Sequence, residues 1–519
     1  VTDQYDIAIV GSGFAGSLLA MIARRLGRSV ILIERHKHPR VVIGESSTPL
    51  TNLLLEDLAT RYDLPAIKPL AKWGTWQKTH PAVACGLKRG FTFYHHNLDK
   101  PEGFPPNRDH QLLVAASPHD EIADTHWYRA DFDHLLVCEA QKLGVYYLDE
   151  TKLTQIIESQ DKIELSGTRN DQPITISTKF LIDASGPRGF LHHALRLGEK
   201  ELPHLPSTQA LYSHFSGIGR IESQFVATQQ DQPPYPVDSA AVHHLFDGGW
   251  IWVLQFNNGI TSAGIAATDI AAARWNLHEG EAAWNRILDT IPSLRNQFAK
   301  AKAEQPFRHI PQLSFRSATI TGKRWALLPS ASGFIDPLLS TGFPLTLLGV
   351  DRLASMIEHH WESPDSASHL EAYATETDAD LLAATQLIGS LYANLNNFPV
   401  FASLTLLYFA AVSFSETAHR LGKPELASSF LLRNHPRFGS TSTQLFERAR
   451  DIQTQQQADQ LSADILRAIE PFNVAGLGKP HLRNWYPVDA QDLFDNAAKL
   501  NATQQDIQQL LHRCGFDLE

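Results

Sequence analysis

The stretch Tyr5-Asp-Ile-Ala-Ile-Val-Gly-Ser-Gly-Phe-Ala-Gly-Ser-Leu-Leu-Ala20 leads on to Val30-Ile-Leu-Ile-Glu34. Tyr5 to Val10 suits a buried parallel strand, the glycines follow at once, and the apolar-periodic run to Leu26 predicts a helix. A second strand at Val30 completes a βαβ unit. Gly11 permits the tight turn, Gly13 lets backbone N–H groups approach a pyrophosphate, and Gly16 lets the helix pack close on the strand. Phe14 and Ala15 share this turn and join the candidate contact residues. Glu34 ends the second strand where it would accept hydrogen bonds from an adenosine ribose, with Arg35 beside it. Three spaced glycines alone are a weak signal; strand, glycines, helix, strand and acid in that order are a strong one. The competing reading is a glycine-rich turn in an unrelated sheet.

The 519 residues can hold two or three domains and a large core. A hydrophobic fraction of 43% and a charged fraction of 19% describe an ordinary globular protein. A net charge of −11 argues against a general nucleic-acid binder, because attraction to phosphate dominates such binding. Cys85, Cys138 and Cys514 lie far apart and form no CxxC, so neither a disulfide framework nor a zinc site is suggested and a reduced cytoplasm fits. The first strand begins within about five residues, which on this reading leaves no room for a signal peptide. The longest apolar run, Pro399 to Phe414, contains Ser403, Thr405 and Ser413 and falls short of the roughly 20 residues that span a bilayer. A buried or pocket-lining helix is expected there, with no membrane partner.

Working outward, Arg40-Val-Val-Ile-Gly-Glu-Ser-Ser-Thr-Pro49 is a polar turn before a helical pattern from Leu50 to Arg61, and Ser46 and Ser47 either line a cofactor or cap that helix. Alternation from Lys88 to His96 predicts a strand that Lys88 begins. Pro101 to Asp109 reads as a surface loop. A helix follows Trp127 and runs to about Leu143; short strands then lead to Phe180-Leu-Ile-Asp-Ala-Ser-Gly186, which places Asp183 where backbone meets a ligand in a doubly wound sheet. Strands dominate from Gln209 to Thr268, with a turn at Asp247-Gly-Gly. Glu279 to Lys302 is expected to be helical, Phe307 to Ala318 and Arg324 to Pro329 extended, and the chain beyond Gly342 almost wholly helical. In Ser332-Gly-Phe-Ile-Asp-Pro-Leu-Leu-Ser-Thr-Gly342, a proline-fixed turn precedes a long helix. Asp336 could meet cofactor hydroxyl or phosphate groups, and the N–H groups at Thr341 and Gly342 would suit a small anion such as a halide. Capping by Ser340 or Thr341 is the plainer alternative. The pairs His95-His96, His243-His244 and His359-His360 rarely place both rings on one ion, so no metal is expected.

Gly11-x-Gly-x-x-Gly16, Gly44-Glu-Ser46, Lys88, Arg129-x-x-Phe-Asp133, Trp250-x-Trp252 and Phe334-Ile-Asp-Pro-x-x-Ser-x-Gly342 stand in the order seen in flavin-dependent halogenases. The chain resembles the branch acting on free phenolic substrates, over roughly Tyr5 to Leu421. The resemblance implies an α/β fold with three parts. A Rossmann-type FAD-binding domain of the flavin monooxygenase kind would comprise residues 1–90, 125–190 and 320–360. An antiparallel substrate sheet would comprise 91–124 and 191–319, and a helical C-terminal region 361–519. It also implies FAD reduced by a separate flavin reductase, O2, and chloride or bromide as reactants, with hypohalous acid crossing a tunnel to Lys88. Arg129 would contact FAD, although pairing with Asp131 or Asp133 is open. Asp183 could equally be structural, and Lys88 a surface lysine. Trp250, Trp252, Phe93, Pro337, Leu339 and Ser340 would line the tunnel or substrate pocket.

Two departures stand out. Gln255 replaces the proline of the family's Trp-x-Trp-x-Ile-Pro pattern, and Leu339 stands where tryptophan halogenases carry a glutamate. A phenol needs that carboxylate less, because its own oxygen activates the ring. The rival readings are a single-component FAD-dependent aromatic hydroxylase on the same scaffold and a non-catalytic flavin-binding protein.

Overall fold

The computed structural model describes residues 4–99, 104, 107–225 and 232–516. Of the expected loop from Pro101 to Asp109, only Phe104 and residues 107–109 are among them; the remainder lies outside the described residues.

The opening stretch folds as its pattern dictates. Strand Gln4–Val10 pairs in parallel with Val30–Ile33 on one side and Gln172–Asp183 on the other, and helix Phe14–Arg25 crosses between the first two. Tyr146–Leu148 extends the sheet beyond Val30–Ile33, Trp325–Leu327 pairs with Gln172–Asp183, and Ile163–Arg169 and Thr151–Glu158 complete it. The register aligns Val10 with Ile33 and Asp183, and Asp183 with Leu327. With Leu148 opposite Ile33, five parallel strands therefore end level, and that edge is where a doubly wound sheet opens its ligand crevice. The glycines there are required by space: a Cβ on Gly11, at φ +103°, would lie 2.4 Å from Ala184 O, and one on Gly16 would lie 2.0 Å from Gly11 O.

A second sheet of nine strands runs in the order Lys302–Ala303, Thr208–Ser216, Ile260–Thr268, Gly249–Gln255, Ala241–Phe246, Gly90–His95, Gln111–Ala115, Trp485–Tyr486, with Arg308–Ile310 beside Thr208–Ser216. It is mixed, not wholly antiparallel as expected: Ala241–Phe246 pairs in parallel with Gly90–His95, and Trp485–Tyr486 with Gln111–Ala115. Both partners are brought together by long excursions through other parts of the chain, the kind of connection parallel pairing needs. The segment Glu279 to Lys302 also differs from expectation. Pro292 starts a new helix, giving Glu281–Thr290 and Pro292–Gln297, and Lys302 already belongs to the sheet.

Beyond Gly342 the long helices are Gly342–His359, Ser366–Tyr392, Phe398–Arg420, Gly439–Arg450, Gln455–Ile469 and Gln504–Cys514. Phe398–Arg420 is long and apolar enough to cross a membrane, yet 89% of its most apolar window is buried inside the protein, as the expectation of a core helix requires.

Candidate active site

The cradle at the strand ends is built around the glycine turn. Glu34 is buried and its oxygens accept from Ser12 N (3.1 Å), Ser12 Oγ (3.0 Å), Arg40 Nη2 (3.1 Å) and His36 N (3.0 Å). Burial pushes this carboxyl up, but Arg40 and the His36 and Ser12 donors outweigh that and hold it below its usual value. It is therefore an ionised acceptor, and Oε1, with one donor, keeps a free lone pair for a ribose hydroxyl. The cation at Glu34 is Arg40, while Arg35 is exposed. Arg129 is buried and donates in bidentate fashion to Asp133 (2.8 Å twice) and through Nη1 to Gly44 O (2.9 Å). The pairing with Asp133 considered from sequence is present, but in the interior. The same guanidinium borders the space above Gly13, 3.4 Å from where a Cβ would stand, and lies 5.0 Å over the Phe14 ring. Phe14, Trp127 and Phe343 then form an aromatic wall, with centroids 4.5–5.3 Å apart. A glycine turn with room above it, a bordering guanidinium and a free carboxylate lone pair together fit a dinucleotide. Asp183 departs from its expected cofactor contact. Its oxygens accept from Ser185 N, Ser185 Oγ and Leu191 N, so the carboxyl builds the turn.

Lys88 does not begin a strand but ends one. Cys85–Lys88 pairs with Asp124–Trp127, whereas Gly90–His95 pairs with Gln111–Ala115; the chain changes partners at Arg89, whose N–H donates to Ser239 O. The lysine is fully buried. Its ammonium donates to Ser46 Oγ (2.9 Å) and Ser47 O, and stands 3.7 Å over the Phe91 ring. Ser46 and Ser47, read from sequence as cofactor contacts, thus hold the amine. Only Glu45 separates them from Gly44, whose carbonyl Arg129 binds, so one short segment touches both the cradle and Lys88. Strand Asp124–Trp127 makes a second link, running from opposite Lys88 to the aromatic wall over about 10 Å of extended chain.

Strand alternation puts Phe91 and Phe93 on the face that Lys88 covers, and the parallel register sets His243 opposite Phe93. Phe93 stacks on His243 at 4.5 Å, His243 meets Trp250 at 5.2 Å, and Phe401 and Phe409 of helix Phe398–Arg420 close over Phe93 and Phe91 edge-on. Trp250 and Trp252 sit 5.7 Å apart, and the Trp252 ring occupies space that only a glycine at 264 leaves open. The altered position 255 packs its carbonyl onto Gly86, where a Cβ would come within 2.1 Å.

The turn before helix Gly342–His359 carries local strain: Leu339 and Ser340 both have positive φ, +62° and +56°. Leu339 is fully buried and its carbonyl accepts from Tyr408 OH (3.0 Å); Pro337 and Ser340 are partly exposed. Thr341 makes no side-chain cap, and Gly342 faces open space, a Cβ there meeting nothing within 4 Å. The first-turn N–H groups of this helix have no intrahelical acceptor. Asp336 is engaged within the protein instead of reaching out. Oδ1 accepts from Trp250 Nε1 (3.2 Å) and Leu338 N (2.9 Å), and Oδ2 from Tyr392 OH (2.8 Å).

Burial pushes the Asp336 carboxyl up to about 7 against the pull of those donors. Its folded value exceeds the unfolded one near 3.9, so the folded protein keeps a proton that the unfolded chain releases, and stability falls as pH rises from about 4 to 7. Asp336→Asn is expected to remove that decline and to stabilise the protein by on the order of 2 kcal/mol at pH 8, seen as a higher melting temperature. Unchanged pH dependence of melting would contradict it.

Sequence reading missed several members of this site. Asp124, Asn52, Tyr392 and Tyr408 carry no local motif; Glu45 lies within Gly44-Glu-Ser46, but its buried pairing with His214 (2.7 Å), which ties that segment to strand Thr208–Ser216, gave no signal. Away from the site, the ligand atoms of His360, Asp365 and His369 lie within 4.8 Å of one another near the surface, a grouping the expectation of no metal did not foresee.

The chain matches the tryptophan halogenase family model over residues 123–396 and an NAD(P)-binding Rossmann-like domain model over residues 9–52. It is 26% identical over 416 residues to tetracycline 7-halogenase of Kitasatospora aureofaciens, covering 78% of this chain and 73% of that protein. To monodechloroaminopyrrolnitrin halogenase PrnC of Pseudomonas fluorescens it is 28% identical over 370 residues, 69% of this chain and 62% of the other. The crystal structure of halogenase PltM superposes with a TM-score of 0.81 at 23% identity, over 93% of this chain and 99% of that one. PltM in complex with phloroglucinol and FAD gives 0.78 at 24% identity, over 90% and 96%. At these identities the structural likeness establishes the fold.

Proposed function

The chain belongs to the tryptophan halogenase family and is an FAD-dependent halogenase, and from that footing we propose that it halogenates an electron-rich aromatic, a phenol, at Lys88. One observation carries this reading: the Lys88 amine is fully buried between the Phe91 ring of an aromatic cluster and the Ser46–Ser47 turn, which itself adjoins the dinucleotide cradle. Reduced FAD, with O2 and chloride or bromide, supplies hypohalous acid. The protein's own part is to steer that oxidant. Ser46 and Ser47 fix the amine, whose remaining N–H is available to hydrogen-bond and polarise it, and a substrate ring held against Phe91 and Phe93 would present one carbon to the halogen. The open first turn at Thr341 and Gly342 offers N–H donors for the halide. Trp250, which donates to Asp336, and Trp252 beside it flank this cluster.

Two features favour a phenol. Leu339 supplies no carboxylate to take a ring proton, which suits a ring activated by its own oxygen, and the phloroglucinol that PltM holds is such a ring. A separate flavin reductase is expected, because the sequence has no second Gly-x-Gly-x-x-Gly for a nicotinamide nucleotide.

The test combines the protein with FAD, a reductase, either halide and a mixed panel of phenols and indoles, with products read by mass spectrometry. Halogenated phenols are expected, together with negligible flavin reduction when NAD(P)H is added without the reductase. Rapid reduction by NAD(P)H alone with hydroxylated products would install the hydroxylase reading, and bound flavin without any product the non-catalytic one.

A further inference from the structure

Lys88 and Asp124 are directly opposed across the antiparallel pair Cys85–Lys88 and Asp124–Trp127. Opposed residues project from the same face with Cβ atoms about 5 Å apart. The Ser46–Ser47 segment lies on the far side of Asp124–Trp127, with Ser46 bridged to His126. To reach it, the lysine side chain crosses over the strand that carries Asp124 and His126. Asp124 is buried too; its Oδ1 accepts from Asn52 Nδ2 (2.7 Å), while its Oδ2 is buried with no hydrogen-bond partner. A carboxylate oxygen left without a donor in the interior is costly unless a charge stands close by or a proton sits on it.

We propose that Asp124 is the counter-charge of Lys88, acting on it across the strand pair through its negative charge, so that Asp124 sets the charge on the amine that meets the oxidant. This rests on the assignment of Lys88 made above. Asp124 is thus a positioning residue, acting through Lys88.

The surroundings agree. Burial pushes the lysine down and the aspartic acid up, each drawn partly back by the other. Facing the pair are His126 beside Asp124, His243 on strand Ala241–Phe246, and Tyr408 with the Glu416–Arg420 ion pair (2.8 Å) on helix Phe398–Arg420. Asn52 and the Ser46–Ser47 turn are uncharged. Burial pushes both histidines down to about 3 and the Tyr408 phenol up, so these three do not change charge near neutrality.

Asp124→Asn removes the charge and keeps an acceptor for Asn52. Brominated phloroglucinol per flavin oxidised would be followed against pH in wild type, Asp124→Asn and Asp124→Glu. The limb that reports Lys88 is expected to move to lower pH by about 1–3 units in the Asn variant and to return towards wild type with Glu. Cyanate carbamylation of Lys88, read by peptide mass spectrometry without flavin, should show its midpoint falling by the same amount. Asp124→Ser serves if the Asn variant does not fold. Superimposable profiles and midpoints, or a Glu variant displaced as far as Asn, would overturn the role of Asp124. Undiminished bromination by Lys88→Ala would instead overturn the assignment of Lys88 itself.

Discussion

Lys88→Ala is expected to lower halogenated product at least 100-fold while reduced flavin continues to be oxidised. The size follows from what the side chain does: a positioned proton donor or acceptor typically contributes on the order of 100–10,000-fold. Loss of fold is the competing explanation, since a buried amine with two acceptors and an aromatic face is being removed. The space left is polar, bounded by Ser46, Ser47 and Asp124, and can take up water, which limits the cost. Lys88→Met fills the same volume without the amine and should be equally inactive, with an unchanged melting temperature in its favour. Oxidant formed at the flavin would then escape, so trapping it in solution with a small scavenger should account for the flavin consumed. A product yield in either variant comparable with wild type would remove Lys88 from the chemistry.

The second large effect concerns the glycine turn, where two neighbouring positions should fail in opposite ways. A Cβ at 16 would stand 2.0 Å from Gly11 O, backbone that cannot give way without moving strand or helix. Gly16→Ala is expected to destabilise the protein by about 2–3 kcal/mol even without cofactor. At Gly13 the nearest atom is an Arg129 side-chain nitrogen at 3.4 Å, ordinary contact distance, so the methyl fits the empty turn. It occupies the space in which a pyrophosphate would lie. Gly13→Ala should therefore melt like wild type but bind FAD at least tenfold more weakly, a difference of about 1.4 kcal/mol. Fluorescence titration with FAD and thermal denaturation of the cofactor-free variants separate the two. Wild-type FAD affinity for Gly13→Ala would mean that the cofactor's phosphates lie elsewhere.

How much of this was legible in the sequence depended on how local each signal is. The βαβ unit is written in residues 5–34 alone, because turn, close approach and helix packing each demand glycine at a fixed spacing. The core position of Phe398–Arg420 was expected from the short apolar run Pro399 to Phe414, but the helix is longer than that run and apolar enough to span a bilayer, and it is the packing of the fold that buries it. Lys88 was located by motif order, but its strand was misread, since alternation from 88 to 96 cannot show that the chain changes partners at Arg89. Asp124 gave no signal at all. It lies in Asp-Thr-His-Trp, an unremarkable strand, and acquires a role only because Cys85–Lys88 pairs with it. The same holds for Asp336, Trp250 and Tyr392, whose mutual hydrogen bonds join residues 56 to 142 positions apart. Polar networks of this kind depend on tertiary pairing, and periodicity carries no information about them.

The central claim is spatial: a buried amine at Lys88 shares a passage with the flavin ring of an FAD whose pyrophosphate lies over Gly13. The most direct measurement is a crystal structure with FAD and bromide, the halide located by its anomalous scattering. The expected result is the isoalloxazine beside the first turn of helix Gly342–His359, bromide at the Thr341 and Gly342 N–H groups, and a continuous opening from there to the Lys88 ammonium. A closed wall of side chains between the ring and that amine, or an amine turned to bulk solvent, would contradict it.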